Sequence, residues 1–169
     1  QFSIAAFEQM YGISPSTAVI ALTAYQAGTL LLILPGGLLA DRTDKYDAIL
    51  VTGYGVAAIA VFLAGTEWLP YWLAVGFLAL CGAVRGAVNA TRNVAVRNIS
   101  KEVEVGTVFG FVSTGALVGQ ACGGPLYGWL FDIYPPQVVF FASAAFSVLV
   151  LGTVLFNPST KASLRRSNV

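Results

Sequence analysis

The sequence predicts an all-α integral membrane protein, and three observations carry that prediction. The chain is 57% hydrophobic and only 10% charged, with a mean hydropathy of +0.77, whereas soluble domains are about a quarter charged. A soluble fold so poor in charge would expose apolar surface and aggregate. The apolar residues are gathered into runs of about twenty, the length a helix needs to cross a hydrocarbon core of about 30 Å. Those runs lack the dyad alternation of barrel strands, so helices are the spanning elements.

Residues 1–11 read as the last turns of a helix whose beginning is missing, which makes the chain a fragment of a longer protein. Gly12-Ile13-Ser14-Pro15-Ser16 is a turn: Gly12 ends one helix, Ser14 caps the next, and Pro15 suits its first position. The span 15–40 follows, with Pro35 expected to kink it. Gly36 and Gly37 then let the helices flanking a dense charged loop, Asp41-Arg42-Thr43-Asp44-Lys45-Tyr46-Asp47, come close together. The span 47–66 ends near Glu67-Trp68-Leu69-Pro70-Tyr71-Trp72, an interfacial aromatic belt and turn. Next come 71–97, polar in its second half, then a charged turn at 98–104 and a glycine-rich span at 105–132. Asp132 to Pro136 is a turn, 136–156 the last span, and 157–169 a polar, basic tail. Five complete spans and one partial span result, with residues 1–156 as the membrane domain.

Lysine and arginine fix the orientation. Arg42 and Lys45, Arg97 and Lys101, and Lys161, Arg165 and Arg166 fall in alternate connections or the tail, while the turns at 12–15, 67–71 and 132–136 carry none. That asymmetry places the charged loops and the tail in the cytoplasm of a protein integral to the plasma membrane. A net charge of +1 leaves no footprint for nucleic acid. The chain has no histidine, which removes Ser–His and Cys–His dyads and histidine-ligated metals. Cys81 and Cys122 sit in apolar runs far from any CxxC spacing and read as buried small hydrophobes. No cofactor is expected.

Gly37, Leu39, Ala40, Asp41, Arg42 and Lys45, with Ile49 at the terminal apolar place, resemble the signature loop of the major facilitator superfamily, approximately G-x-L-A-D-R-x-G-R-[RK]-x-x-[LIV]. Asp44 stands for the second glycine, Lys45 for an arginine and Tyr46 for a basic residue. In that family the loop joins the second and third helices of a six-helix half, its position here. The resemblance covers essentially the whole chain and implies a six-helix half bundle, more consistent with the C-terminal half because 157–169 reads as a terminal tail. Asp41 at a helix end can meet a neighbouring helix N-terminus or an arginine, and Arg42 and Lys45 can pair with Glu102 or Glu104. A latch closing the cytoplasmic side and a purely topological role are the two readings of this cluster. Glu104-Val105-Gly106 is similar to the family's entry to the fifth helix.

Arg85 lies near the middle of 71–97, where a cation costs about 2.5–3.5 kcal/mol by insertion scales. Asn89 and Arg92 follow on the same helical stripe, with Asn93 beside it. Such a stripe must face a water-filled cavity or a partner helix. The fourth helix lines the central cavity in the resembled family, so Arg85 with Asn89 is expected to bind a substrate carrying a carboxylate or phosphate. The alternative is a structural pair with an acid in the missing half. Tyr25, Gln26 and Thr29, and Ser113, Thr114 and Gln120, are further hydrogen-bonding candidates toward the cavity.

Gly115, Gly119 and Gly123 recur every fourth residue and are expected to pack closely against a neighbouring helix. Gly124-Pro125-x-x-Gly128 resembles the family's antiporter signature, from which Gln120 and Trp129 depart. The combined expectation is a secondary transporter moving a small, anionic solute by alternating access. Its implied partners are the bilayer and the remaining six helices of the polypeptide, with an unidentified coupling ion and Glu8 as the one proton-carrier candidate within this half. A non-transporting scaffold or receptor is the runner-up. An integral-membrane enzyme is disfavoured by the missing histidine and the scarcity of acids.

Overall fold

The computed structural model describes residues 2–43, 46–99 and 105–156. Every regular element among them is an α-helix: α1 (Phe2–Tyr11), α2 (Pro15–Asp41), α3 (Tyr46–Ala64), α4 (Tyr71–Ile99), α5 (Val105–Ile133) and α6 (Val138–Phe156). Helices α2 to α6 are long and apolar enough to cross a membrane. Helix α1 has 10 residues, about 15 Å of rise.

Local chemistry explains the ends. Ser14 caps α2, its side chain accepting from the Thr17 N–H, with Pro15 at the first position. Gly12 takes φ +59°, a left-handed turn that glycine adopts without strain. Helix α3 stops at Ala64, two residues short of the expected end. There the Gly65 N–H is shared by the Val61 and Phe62 carbonyls, and the Thr66 hydroxyl donates to Leu63 O at 2.7 Å, tightening the last turn. Helix α6 begins at Val138 rather than 136, because the turn carrying Pro135 and Pro136 comes first: Val138 N–H donates back to Pro135 O. Helix α2 runs through Pro35 as one helix.

Helices α2, α4, α3 and α6 lie side by side in that order, and α1 touches both α2 and α6. The row therefore curves around α1. Helix α2 packs along α4 rather than on α3, the helix that follows it in the chain. Glycines make that seam: a Cβ on Gly28 would strike the Ala79 carbonyl, on Gly82 the Tyr25 carbonyl, and on Gly86 the Thr29 carbonyl, while Gly36 presses on Ala87. Gly36 and Gly37 thus bring α2 against α4, at Ala87 and Ala90, and not against the other side of the charged loop. Small residues let backbones approach, which is how helices associate where solvent supplies no hydrophobic drive.

One end of the bundle is a packed apolar plug. Phe7 is fully buried among the rings of Tyr11, Tyr71 and Phe140, at centroid distances of 5.6, 6.0 and 5.2 Å. Two hydroxyls tie this end together: Tyr71 donates to Thr17 O at 2.6 Å, and Tyr11 to Leu69 O at 3.0 Å. Outside, the bundle is apolar, with Leu30, Leu31 and Leu34 at 71%, 72% and 75% exposure, a surface suited to lipid and not to water.

Helix α5 differs from the rest. None of its residues is buried, and a Cβ on Gly106, Gly110, Gly115, Gly119, Gly123 or Gly124 would meet nothing within 4 Å. The close contact expected of Gly115, Gly119 and Gly123 is therefore absent among the described residues, and the seam sits on α2 and α4 instead.

Candidate functional site

Helix α4 has two faces. One, built of alanines and of Gly82 and Gly86, abuts α2. The other carries Leu78, Cys81, Arg85, Val88, Asn89 and Arg92, which line a cavity of about 570 Å³. Spacings of three and four residues put these side chains on one stripe. The curved row of helices forms the wall: Tyr25 comes from α2, Tyr54 from α3, Tyr127 from α5, and Ser143 and Ser147 from α6. Ser3 at the first turn of α1 lines it as well. Glycine again sets the wall's shape, because a side chain on Gly53 of α3 would strike the Val88 Cγ2.

Electrostatics give the cavity a sign. Among the described residues its lining holds two guanidinium groups, Arg85 and Arg92, and no carboxylate. Arg85 is within electrostatic reach of the Tyr25 hydroxyl and the Cys81 thiol. The Nε of Arg92 is buried and has no hydrogen-bond partner among the described residues, and an N–H left so is costly until an acceptor arrives. Across the cavity, Tyr127 Oη and Ser143 Oγ lie 2.9 Å apart. Ser143 donates to Val139 O at 2.8 Å, so Tyr127 is the donor of that pair. Ser147, also in the lining, donates to Ser143 O at 2.9 Å. Arginines on one wall and hydroxyls on another suit a small polar solute with a negative group.

Of the predicted cavity residues, Arg85, Asn89, Arg92 and Tyr25 come together here. Gln26 and Gln120 do not. Gln26 is exposed, because one residue past Tyr25 the helix has turned about 100° away. Gln120 is exposed on α5, whose contribution to the lining is Tyr127, nearly two turns further on. Ser113 and Thr114 are also exposed, and the Thr29 hydroxyl donates to Tyr25 O of its own helix at 3.0 Å. Glu8 is not among the lining residues. Cys81 lines the cavity, and Cys122 is exposed rather than buried. Sequence reasoning missed Tyr54, Tyr127, Ser143 and Ser147; the Ser143–Ser147 spacing on an otherwise apolar helix was the available signal.

The charged loop lies at the other end from the aromatic plug. Asp41 accepts from Arg97 Nη2 at 2.8 Å, joining the ends of α2 and α4. Asn98 Nδ2 donates to Tyr46 Oη at 2.7 Å, joining α4 to the start of α3. Tyr46, a departure from the signature pattern, thus has a partner of its own. The Arg42 N–H closes α2 on the Ala40 and Leu39 carbonyls. Lys45, Glu102 and Glu104, and the pairings expected of them, lie outside the described residues.

Comparison with known proteins adds two findings. The family model for the Major Facilitator Superfamily matches residues 2–168. NADH-quinone oxidoreductase subunit N of Hirschia baltica is 23% identical over 193 residues, covering 89% of this chain and 41% of that protein. The chain therefore spans less than half the length of that relative. No solved structure matches.

Proposed function

This chain belongs to the major facilitator superfamily and is a multi-pass membrane protein; on that premise we propose that it is part of a transporter and that the α4-lined cavity is the path of a small anionic solute. One observation carries the reading: among the described residues the lining brings together Arg85 and Arg92, with Asn89 and Tyr25, and no acid. Arginine presents a rigid fork of donors matched to carboxylate or phosphate. Substrate sites in secondary transporters lie near the bilayer midplane, between repeats that rock about them. By that analogy further helices of the same polypeptide close the cavity, and the solute moves by alternating access with a coupling ion still to be identified.

In this reading the basic connections face the cytoplasm of a plasma-membrane protein, and the Asp41–Arg97 pair is part of a latch at the cytoplasmic ends of α2 and α4. A thermal-shift screen of the full-length protein, with small carboxylates and phosphates against neutral analogues of equal size, tests the solute class. Stabilisation by the anions is expected, and its loss in Arg85→Gln. Equal shifts by the neutral analogues would sink the anionic assignment.

A further inference from the structure

A second cavity, of about 600 Å³, opens at the plug end of the bundle, between the α3–α4 connection and the start of α6. Its walls are mostly apolar, with Leu63, Leu69, Val138 and Phe141 among the lining residues. The Phe62 and Phe141 rings pack 5.1 Å apart beside it. Both walls are held in place. Gly65 lets Phe140 press on the end of α3, and the Tyr11 hydroxyl holds the Leu69 carbonyl.

The rim has a definite chemistry. Gln137 Nε2 donates to Glu67 Oε1, and the Gln137 carbonyl oxygen is buried with no partner among the described residues. A charged acceptor, the Glu67 carboxylate, therefore sits at the edge of an apolar groove. Trp68, on the same rim, is 96% exposed. An indole so placed suits the headgroup layer, where its ring is buried in lipid and its N–H is a donor. The turns at this end carry Glu67 and no lysine or arginine. Anionic headgroups are disfavoured here and ammonium donors are favoured.

We propose that this groove is a binding site for a phospholipid with a primary-amine headgroup, phosphatidylethanolamine in chemistry. One acyl chain lies along Leu63, Val138 and Phe141. The ammonium donates to the Glu67 carboxylate, and the Trp68 N–H donates to the phosphate. A trimethylated headgroup fills the same volume and has no N–H to give, so the site discriminates between the two by hydrogen bonding.

Native mass spectrometry of the full-length protein, purified in micelles holding equal phosphatidylethanolamine, phosphatidylcholine and phosphatidylglycerol of matched chains, tests this. A charge-assisted hydrogen bond corresponds to about tenfold in retention of the primary amine over the trimethylated lipid. Glu67→Gln should bring that ratio close to one with helical content unchanged. Val138→Trp, which fills the groove, should lower retention of phosphatidylethanolamine while leaving Glu67 in place. Equal retention of the two zwitterionic lipids by the native protein overturns the proposal, as does a preference that survives Glu67→Gln. Free ethanolamine displacing the lipid at equal concentration, or a second copy of the chain seated in the groove, overturns the lipid as its occupant.

Discussion

Helices α4 and α5 are equally long, 29 residues each, and both are rich in glycine, yet they use it in opposite ways. On α4, Gly82 and Gly86 are where the backbone of α2 comes closest, and no side chain fits there. On α5, every glycine from Gly106 to Gly124 opens onto empty space. Spacing alone does not distinguish the two, since Gly82 and Gly86 are four apart, as are Gly115 and Gly119. What differs is the partner: α2 supplies Gly28 and Gly36 opposite. A small-residue stripe makes a seam only where a second stripe meets it.

The largest expected effect follows directly. Gly82→Val places its side chain on the Tyr25 carbonyl, a backbone atom that cannot rotate away. We expect a loss of about 3 kcal/mol or more, at the upper end of over-packing costs, read as a fall in the melting temperature of the purified protein. Gly119→Ala should be neutral or stabilise by about 0.5–1 kcal/mol, because the gain in helix propensity is not opposed by a clash. If the two variants melted alike, the seam would not be what holds α2 to α4.

The same contrast extends to the solute. Arg85 lines the cavity from α4, and Gln120 sits exposed on α5. Arg85→Gln is expected to weaken binding of an anionic solute about tenfold, the loss of one charge-assisted hydrogen bond. Gln120→Ala should leave binding unchanged. Titration calorimetry on the full-length protein separates them, and a Gln120 effect as large as that of Arg85 would move the site toward α5.

Much of this was legible in the sequence, and the reason is physical. Charge is so costly in a bilayer that the ends of α2, α4 and α5 lie within a residue or two of where composition changes, and Arg85, Asn89 and Arg92 had to share a wet face. What was not legible depends on which helix lies beside which. Gly36 and Gly37 point to close packing without saying that α4, not α3, receives them. Gln26 and Gln120 are polar residues in spans, and no local signal tells that Tyr25, one position earlier, faces the cavity instead. Ser143 and Ser147 were passed over because a serine that bonds its own helix resembles an apolar residue in every pattern. Asp41 was expected to find an arginine, yet Arg97 lies 56 residues on and nothing in the loop selects it.

The two ends of the bundle form a second pair, with smaller effects. At the plug end Tyr71 donates to the Thr17 carbonyl at 2.6 Å, locking the start of α4 to the start of α2. Tyr71→Phe keeps the ring against Phe7 and removes the donor alone. A loss of about 1 kcal/mol is expected, measured as a lower melting temperature with the aromatic near-ultraviolet signature retained. A change several times larger would mean that the ring cluster depends on that hydroxyl for its geometry.

At the opposite end α2 and α4 are tied by Asp41 and Arg97, with side chains 47% and 59% exposed. Solvent screens such a pair to well under about 1 kcal/mol, so Asp41→Asn should scarcely move the melting temperature. That small number is what a latch requires, since a contact made and broken in each cycle cannot hold most of the protein's stability. The expected signature is kinetic: with a fluorophore on each side of the cavity, Asp41→Asn should speed opening at this end by a few-fold. It should leave opening at the plug end untouched, because the tyrosine hydroxyls there remain in place. A variant with altered stability and unaltered opening would leave Asp41 as an anchor of topology and nothing more.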